Sequence, residues 1–337
     1  MKSSREKVSD IFLRKSTGTG AMWTGHLSGG AVQIYAEEWG LEADSEAIYS
    51  FLGDDCRWFF AEGNYKHPTC SQPFEKLADG NGNLVDVKGI FAHAESASEI
   101  DKYIFPEPGN FDFSELDVMI DAHVDKMVLS GMWCPFFHLV ADMFGMENYF
   151  AKMYEEPEVV EALTERITDF YVEANDLFYK GPGSKVSTMF FGNDFGTQLD
   201  LLVSPDCFRR FVLPSFKRII DVGKKHGKTI ILHSCGSIHR VIPDLIEAGI
   251  DVLHPLQAQA AGMDAQNLAQ YKSEIAFMGG IDAQSFFVKA TPAQIKDEVR
   301  RVRDILGPNI VISPSHEEIL PNIPAANILA MAEAARE

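Results

Sequence analysis

From Lys126 onward the chain repeats one unit: a short apolar run, a polar turn, then a longer segment with helical spacing. The apolar runs are Met127-Val-Leu-Ser-Gly131, Val186-Ser-Thr-Met-Phe-Phe191, Thr229-Ile-Ile-Leu232, Ile250-Asp-Val-Leu253, Ile275-Ala-Phe-Met278 and Ile310-Val-Ile312. They are short, rich in β-branched and aromatic residues, and do not alternate, as expected of strands buried on both faces. The helix beginning at about Pro157 carries Val160, Leu163, Ile167, Phe170, Ala174 and Leu177 on one face. Ser204-Pro205 opens another, with a kink expected at Pro214. Thr291-Pro-Ala-Gln294 is a capping box, and Gly307 ends the helix it starts. Strands separated by helices predict a parallel sheet. One or two further strands in the N-terminal third would complete a (β/α)8 TIM-type barrel, and 337 residues suit one such domain. No dinucleotide or phosphate-loop glycine fingerprint follows a strand, which lowers the doubly wound alternative.

Residues 1–110 read as an N-terminal elaboration and residues 111–337 as the main barrel, within a single domain. Glu37-Glu-Trp-Gly and Ser45-Glu-Ala-Ile-Tyr-Ser-Phe-Leu suggest short helices around a break at Gly40. Asp79-Gly-Asn-Gly-Asn83 has the composition of hairpin turns.

The formal charge of −19 disfavours nucleic acid and anionic membranes. No apolar run reaches the roughly 18–20 residues of a membrane span. The charged start, Met1-Lys-Ser-Ser-Arg-Glu-Lys, leads to no signal-peptide apolar region, so the cytoplasm is expected. Cys56, Cys70, Cys134, Cys207 and Cys235 are odd in number and contain no Cys-x-x-Cys pair, which argues for reduced thiols.

In a barrel the chemistry sits where the strands end. Those ends supply Asn193 and Asp194, His233 and Cys235, His254 and Gln257, Asp282, and Ser315-His316. Loops are polar in any protein, so one such residue means little; five loaded ends in succession mean more. His233-x-Cys235 offers an imidazole and a thiolate, both of which suit zinc, and His316 is the candidate third ligand, with Glu317 or Glu318 behind it. The bland alternative is a buried thiol and a hydrogen-bonded histidine. Asp194 is a general base, an orienting group or a cap; Asp282 is a substrate contact or an N-cap. His254, ahead of Pro255, reads as structural. His26, in Met22-Trp-Thr-Gly-His26, is a further candidate substrate contact, and Arg57 beside Asp54-Asp55 reads as a solvated ion pair.

Met153-Tyr-Glu-Glu-Pro157, Asn193-Asp-Phe-Gly196, Leu202-Val-Ser-Pro205, Leu213-Pro-Ser-Phe216, Leu232-His-Ser-Cys-Gly236, Gly279-Gly-Ile-Asp282 and Leu320-Pro-Asn-Ile-Pro324 resemble, in order and spacing, the uroporphyrinogen decarboxylase superfamily. The resemblance covers about residues 127–337 and implies a (β/α)8 barrel. True decarboxylases are similar to one another in an arginine-rich N-terminal segment that holds the substrate's carboxylates. Here Ala21-Met-Trp-Thr-Gly-His-Leu-Ser-Gly-Gly30 contains no Arg or Lys. The zinc-dependent methyltransferase branch is similar in its His-x-Cys, matched by His233 and Cys235; its third ligand is a Cys where this chain has Ser315-His316. That branch implies zinc holding a thiol as thiolate, which takes a methyl group from the cobalt of a corrinoid carried by a partner protein. Asp194, Asn193 and Gln257 would then orient a small-molecule methyl acceptor, and a homodimer is compatible with this reading. The alternatives are a cofactor-free decarboxylase using Asp194 and His316, and a non-enzymatic corrinoid- or tetrapyrrole-binding relative.

Overall fold

The computed structural model describes residues 2–18, 20–68, 72–74 and 89–337. Cys70 and the expected turns at Asp79–Asn83 lie outside the described residues. The architecture is α/β, and its strand ladders are parallel. The strands are β1 (His26–Leu27), β2 (Cys56–Phe60), β3 (Met127–Gly131), β4 (Thr188–Gly192), β5 (Thr229–His233), β6 (Val252–His254), β7 (Ala276–Ile281), β8 (Ile310–Pro314) and β9 (Glu318–Ile319). β4 to β8 pair in chain order, β2 pairs with β3 from Cys56↔Met127 to Phe60↔Gly131, and β1 pairs with β9. β1 and β2 thus fall within the N-terminal third, where one or two further strands are expected without a stated position.

Outside these ladders the remaining seams are joined by individual hydrogen bonds. The Trp23 N–H donates to the Ile312 carbonyl at 2.9 Å, and the Asp55 N–H donates to the Met22 carbonyl at 3.1 Å. The segment 21–24 therefore runs between β8 and β2. Between β3 and β4 the Tyr179 hydroxyl lies 3.0 Å from the Ser130 carbonyl and 3.3 Å from that of Thr188. Thr188 Oγ1 donates to the Val128 carbonyl at 2.8 Å.

The inward side chains show what these links enclose. Ala21, Trp23, Cys56, Leu129, Phe190, Ile231, Val252, Met278 and Val311 form one buried cluster, distinct from the larger apolar layer under the helices. Every strand-like segment except the short β1 and β9 contributes to it. Val8, Ile11 and Phe12 of the first helix, Ser4–Phe12, cover it at one end. Ser3 and Glu6 form that helix's capping box.

Elsewhere the helical readings match in kind and shift in detail. Helix Gly29–Trp39 ends at Gly40 in the left-handed conformation. Helix Pro157–Lys180 buries Val160, Leu163, Ile167, Phe170 and Ala174, whereas Leu177, expected on that face, is exposed and Phe178 is buried instead. The expected kink at Pro214 is a π-helical turn, Phe208–Val212, after which Pro214 sits in the first turn of helix Leu213–Lys225. Arg57 is a correction of kind. It is buried, not solvated, with a two-point ion pair to Glu46 at 2.7 Å through each nitrogen.

Candidate metal centre

Register places the functional side chains. Gly192 is opposite His233 and His233 is opposite His254, so β4, β5 and β6 end level with one another. Asn193 N–H donates to the His233 carbonyl and Ser234 N–H to the His254 carbonyl, which holds the turns in line. Gly236, at φ +81°, passes so close to Gly196 that a Cβ would meet its backbone at 2.5 Å. Only glycine fits there.

At this level His233 Nε2 lies 3.4 Å from Cys235 Sγ, 3.5 Å from Asp194 Oδ1 and 3.6 Å from Glu317 Oε2. Glu317 follows β8, and its Oε2 is also 3.5 Å from His316 Nδ1. Asp194, His233 and Cys235 form one set of donor atoms within 4.8 Å of one another; Cys235, His316 and Glu317 form a second. Tetrahedral bonds of about 2.0–2.3 Å put neighbouring ligand atoms roughly 3.3–3.8 Å apart. The three separations from His233 Nε2 all fall in that range. Glu317 Oε2 is buried without a hydrogen-bond partner, as an oxygen awaiting a cation would be. The donor set fits a zinc-type ion on both counts.

Burial works against ionisation of Asp194, but the His233 imidazole and the Cys235 N–H, which donates to Oδ1 at 2.7 Å, hold its carboxyl below the usual range. Burial, then the nearby Asp194 and Glu317 carboxylates, push the Cys235 thiol well up. A cation is needed to keep that sulfur as thiolate. Behind His233, its Nδ1 is 3.0 Å from Nδ1 of His254. Burial, then His233 and His316, hold His254 far below the usual imidazole range, so it is neutral. With an ion on His233 Nε2, the His233 proton would sit on Nδ1 and His254 Nδ1 would accept it. His254, read from sequence as structural, is thus in contact with the centre.

The other expected residues divide. Gln257 Oε1 accepts the Gly236 N–H at 2.9 Å and so braces the β5 turn. The Asn193 amide holds the Cys134 carbonyl and the Phe137 N–H, below the donor set. Asp282 accepts from the N–H groups of Gln284, Ser285 and Phe286, the capping role weighed for it. His26 is exposed, and its N–H donates to the Glu317 carbonyl. His316 is half exposed, with Nδ1 accepting the Glu318 N–H at 3.1 Å. Sequence reading missed Glu62, just past β2, whose carboxyl accepts the Trp133 and Cys134 N–H groups and which burial pushes up to about 7. It also missed Trp133, whose ring centre is 5.0 Å from that of His233.

Residues 117–337 match the family described as Uroporphyrinogen decarboxylase (URO-D). The chain belongs to this family. No curated protein matches it. Among solved structures it is similar to a methyltransferase from Methanosarcina mazei, at 12% identity and a TM-score of 0.69, covering 99% of this chain and 98% of that one. A GH30 endoxylanase from Clostridium papyrosolvens C71 aligns at 11% identity and a TM-score of 0.37, over 95% of this chain and 71% of the other. The family and the methyltransferase neighbour imply a TIM barrel. Among the described residues no helix is long and apolar enough to cross a membrane.

Proposed function

We propose that this chain is a zinc-dependent methyltransferase on a closed (β/α)8 barrel, moving a methyl group between a corrinoid carrier protein and a small thiol. The observation that carries the reading is the set of donor atoms 3.4, 3.5 and 3.6 Å from His233 Nε2, with Glu317 Oε2 otherwise unpartnered. His233, Cys235 and Glu317 would hold the ion, which revises the ligand set expected from sequence by placing Glu317 ahead of His316. Zinc supplies a lowered thiol pKa and keeps the acceptor sulfur as thiolate at neutral pH. Asp194 fixes the Cys235 loop through the Cys235 N–H. The acceptor's thiol proton leaves to solvent past the half-exposed His316 ring. An S–C bond then forms as the carrier's cobalt–carbon bond breaks, its electron pair remaining on cobalt. The Asn193 and Asp282 side chains are assigned to structure. The absence of Arg and Lys from Ala21–Gly30 counts against a polycarboxylate substrate.

Metal analysis of reduced, chelator-free protein tests this. About one zinc per chain is expected, as in a three-ligand catalytic site. It should be lost in His233→Ala, Cys235→Ala and Glu317→Ala and kept in His316→Ala. Protein that takes up no zinc even when it is supplied would overturn the reading in favour of a cofactor-free decarboxylase.

A further inference from the structure

We infer that the thiol taken at this site carries a positive charge, an aminothiol and not a thiol bearing carboxylate or sulfonate. The inference rests on the zinc reading and names its substrate class. Two independent observations support it, one of shape and one of charge.

The first is an aromatic wall. Trp58 and Trp133 pack on the interior cluster yet stay partly exposed. Trp133 follows β3 directly after Met132, and its ring centre is 5.0 Å from that of His233. The Trp133 ring centre is 5.3 Å from that of Trp58 and 6.2 Å from that of Phe60, itself 47% exposed. Gly192 makes room for this wall, since a Cβ there would stand 2.4 Å from the Trp133 ring. Three of the chain's four tryptophans meet here, because Trp23 packs on both Trp58 and His254. Tryptophan faces attract cations, most strongly when partly desolvated.

The second is uncompensated negative charge. Among the described residues, the ion pairs of Asp194 and Glu317 are to histidine, and no Lys or Arg pairs with either. With zinc bound, the Cys235 thiolate, the acceptor thiolate, Asp194 and Glu317 set four negative charges against the metal's two. A sulfonate or carboxylate tail adds a fifth negative charge. An ammonium tail offsets one and has the Trp133 and Trp58 faces to lie against.

The test uses full-length protein loaded with cobalt(II), whose sulfur-to-cobalt absorption reports thiol binding without turnover. Aminoethanethiol, mercaptoethanol and mercaptoethanesulfonate are titrated, each Kd being corrected for the fraction of thiolate in solution. Thiocholine and its neutral carbon isostere form a second pair with matched shape. The cationic member of each series should bind about tenfold tighter than the neutral one, and the sulfonate weakest. Trp133→Leu should shrink the cationic advantage to about twofold or less. Metal uptake with equal affinities, or with the sulfonate tightest, overturns this inference alone. Protein that takes up no cobalt and no zinc overturns the zinc reading and this inference with it.

Discussion

Ahead of β2, the Asp54 carboxylate accepts the Thr24 and Cys56 N–H groups at 2.6 and 2.9 Å, with the Arg57 guanidinium 3.8 Å away. Beside it Asp55 accepts the Met22 N–H and pairs with Lys7. Ahead of β5, Lys228 Nζ donates to the Gly183 and Val186 carbonyls. Past the other ends of the strands, buried polar atoms are left over: Glu317 Oε2, Glu62 Oε1 and His254 Nε2 have no hydrogen-bond partner. Both regions bury ionisable groups. Where the strands begin, each carries several bonds, and those bonds tie the segment 21–24 and β2 into the sheet. Where they end, the shortfall matches what a cation and a substrate would supply. A satisfied buried charge holds a fold together; an unsatisfied one marks where something binds.

The largest expected effect breaks the satisfied end. Asp54→Ala strips Arg57 of a buried partner and orphans two N–H groups, which should cost about 3–5 kcal/mol. At about 2.1 cal/mol/K per residue, a chain of 337 residues then loses roughly 4–7 °C in Tm, readable by calorimetry. Zinc uptake per folded chain should not change. A variant that kept its Tm but lost zinc would reverse the assignment of the two regions.

Acid sharpens the same contrast. Burial raises the Asp54 carboxyl from 3.8 to about 6, despite the opposing pull of Arg57. The folded state therefore binds this proton more tightly than the unfolded chain. The stability linked to it is complete below about pH 4 and is lost as pH rises through about 6. At about 1.4 kcal/mol per pH unit, the loss is roughly 3 kcal/mol. Glu46, held down to about 2 chiefly by its hydrogen bond to Arg57, works in the opposite direction and gains stability above its unfolded value. Comparing Tm of the wild type and Asp54→Asn from pH 4 to 7 isolates the Asp54 term. The gap should move in favour of Asp54→Asn as pH rises, and parallel curves would refute the assignment.

Legibility in the sequence divides along the same line. His233, Cys235 and Asp194 were readable because each follows an apolar run directly, so the strand announces its own end. The alternation of β4 to β8 with helices was readable for the same reason. β2 was not: Arg57 interrupts Cys56–Phe60, and it is tolerated only because Glu46, eleven residues earlier, meets it through space. The segment 21–24 is too short to show a period. Asn193 and Asp282 look like site residues because polar groups after a strand also satisfy backbone. Glu317 and His254 were under-read because only register and burial, which sequence does not display, turn them toward His233.

The smallest expected effect lies at the unsatisfied end, where removing one more partner should change binding and hardly touch folding. His254→Phe keeps a ring of similar shape against Trp23 and Phe190 but removes the nitrogen 3.0 Å from His233 Nδ1. With no acceptor on Nδ1, His233 has less reason to leave Nε2 bare. Losing such an outer partner typically weakens metal binding by about 10–100-fold. His254→Asn can return an acceptor close to the Nδ1 position and should recover much of the affinity. Competition with a metal-sensitive chelator reads both, and 15N shifts of His233 report which nitrogen holds the proton. If His254→Phe binds zinc as the wild type does while His233→Ala does not, His254 is packing alone. The unpartnered ionisable groups past the strand ends would then be Glu317 and Glu62, and the chemistry at the donor set would rest on His233, Cys235 and Glu317.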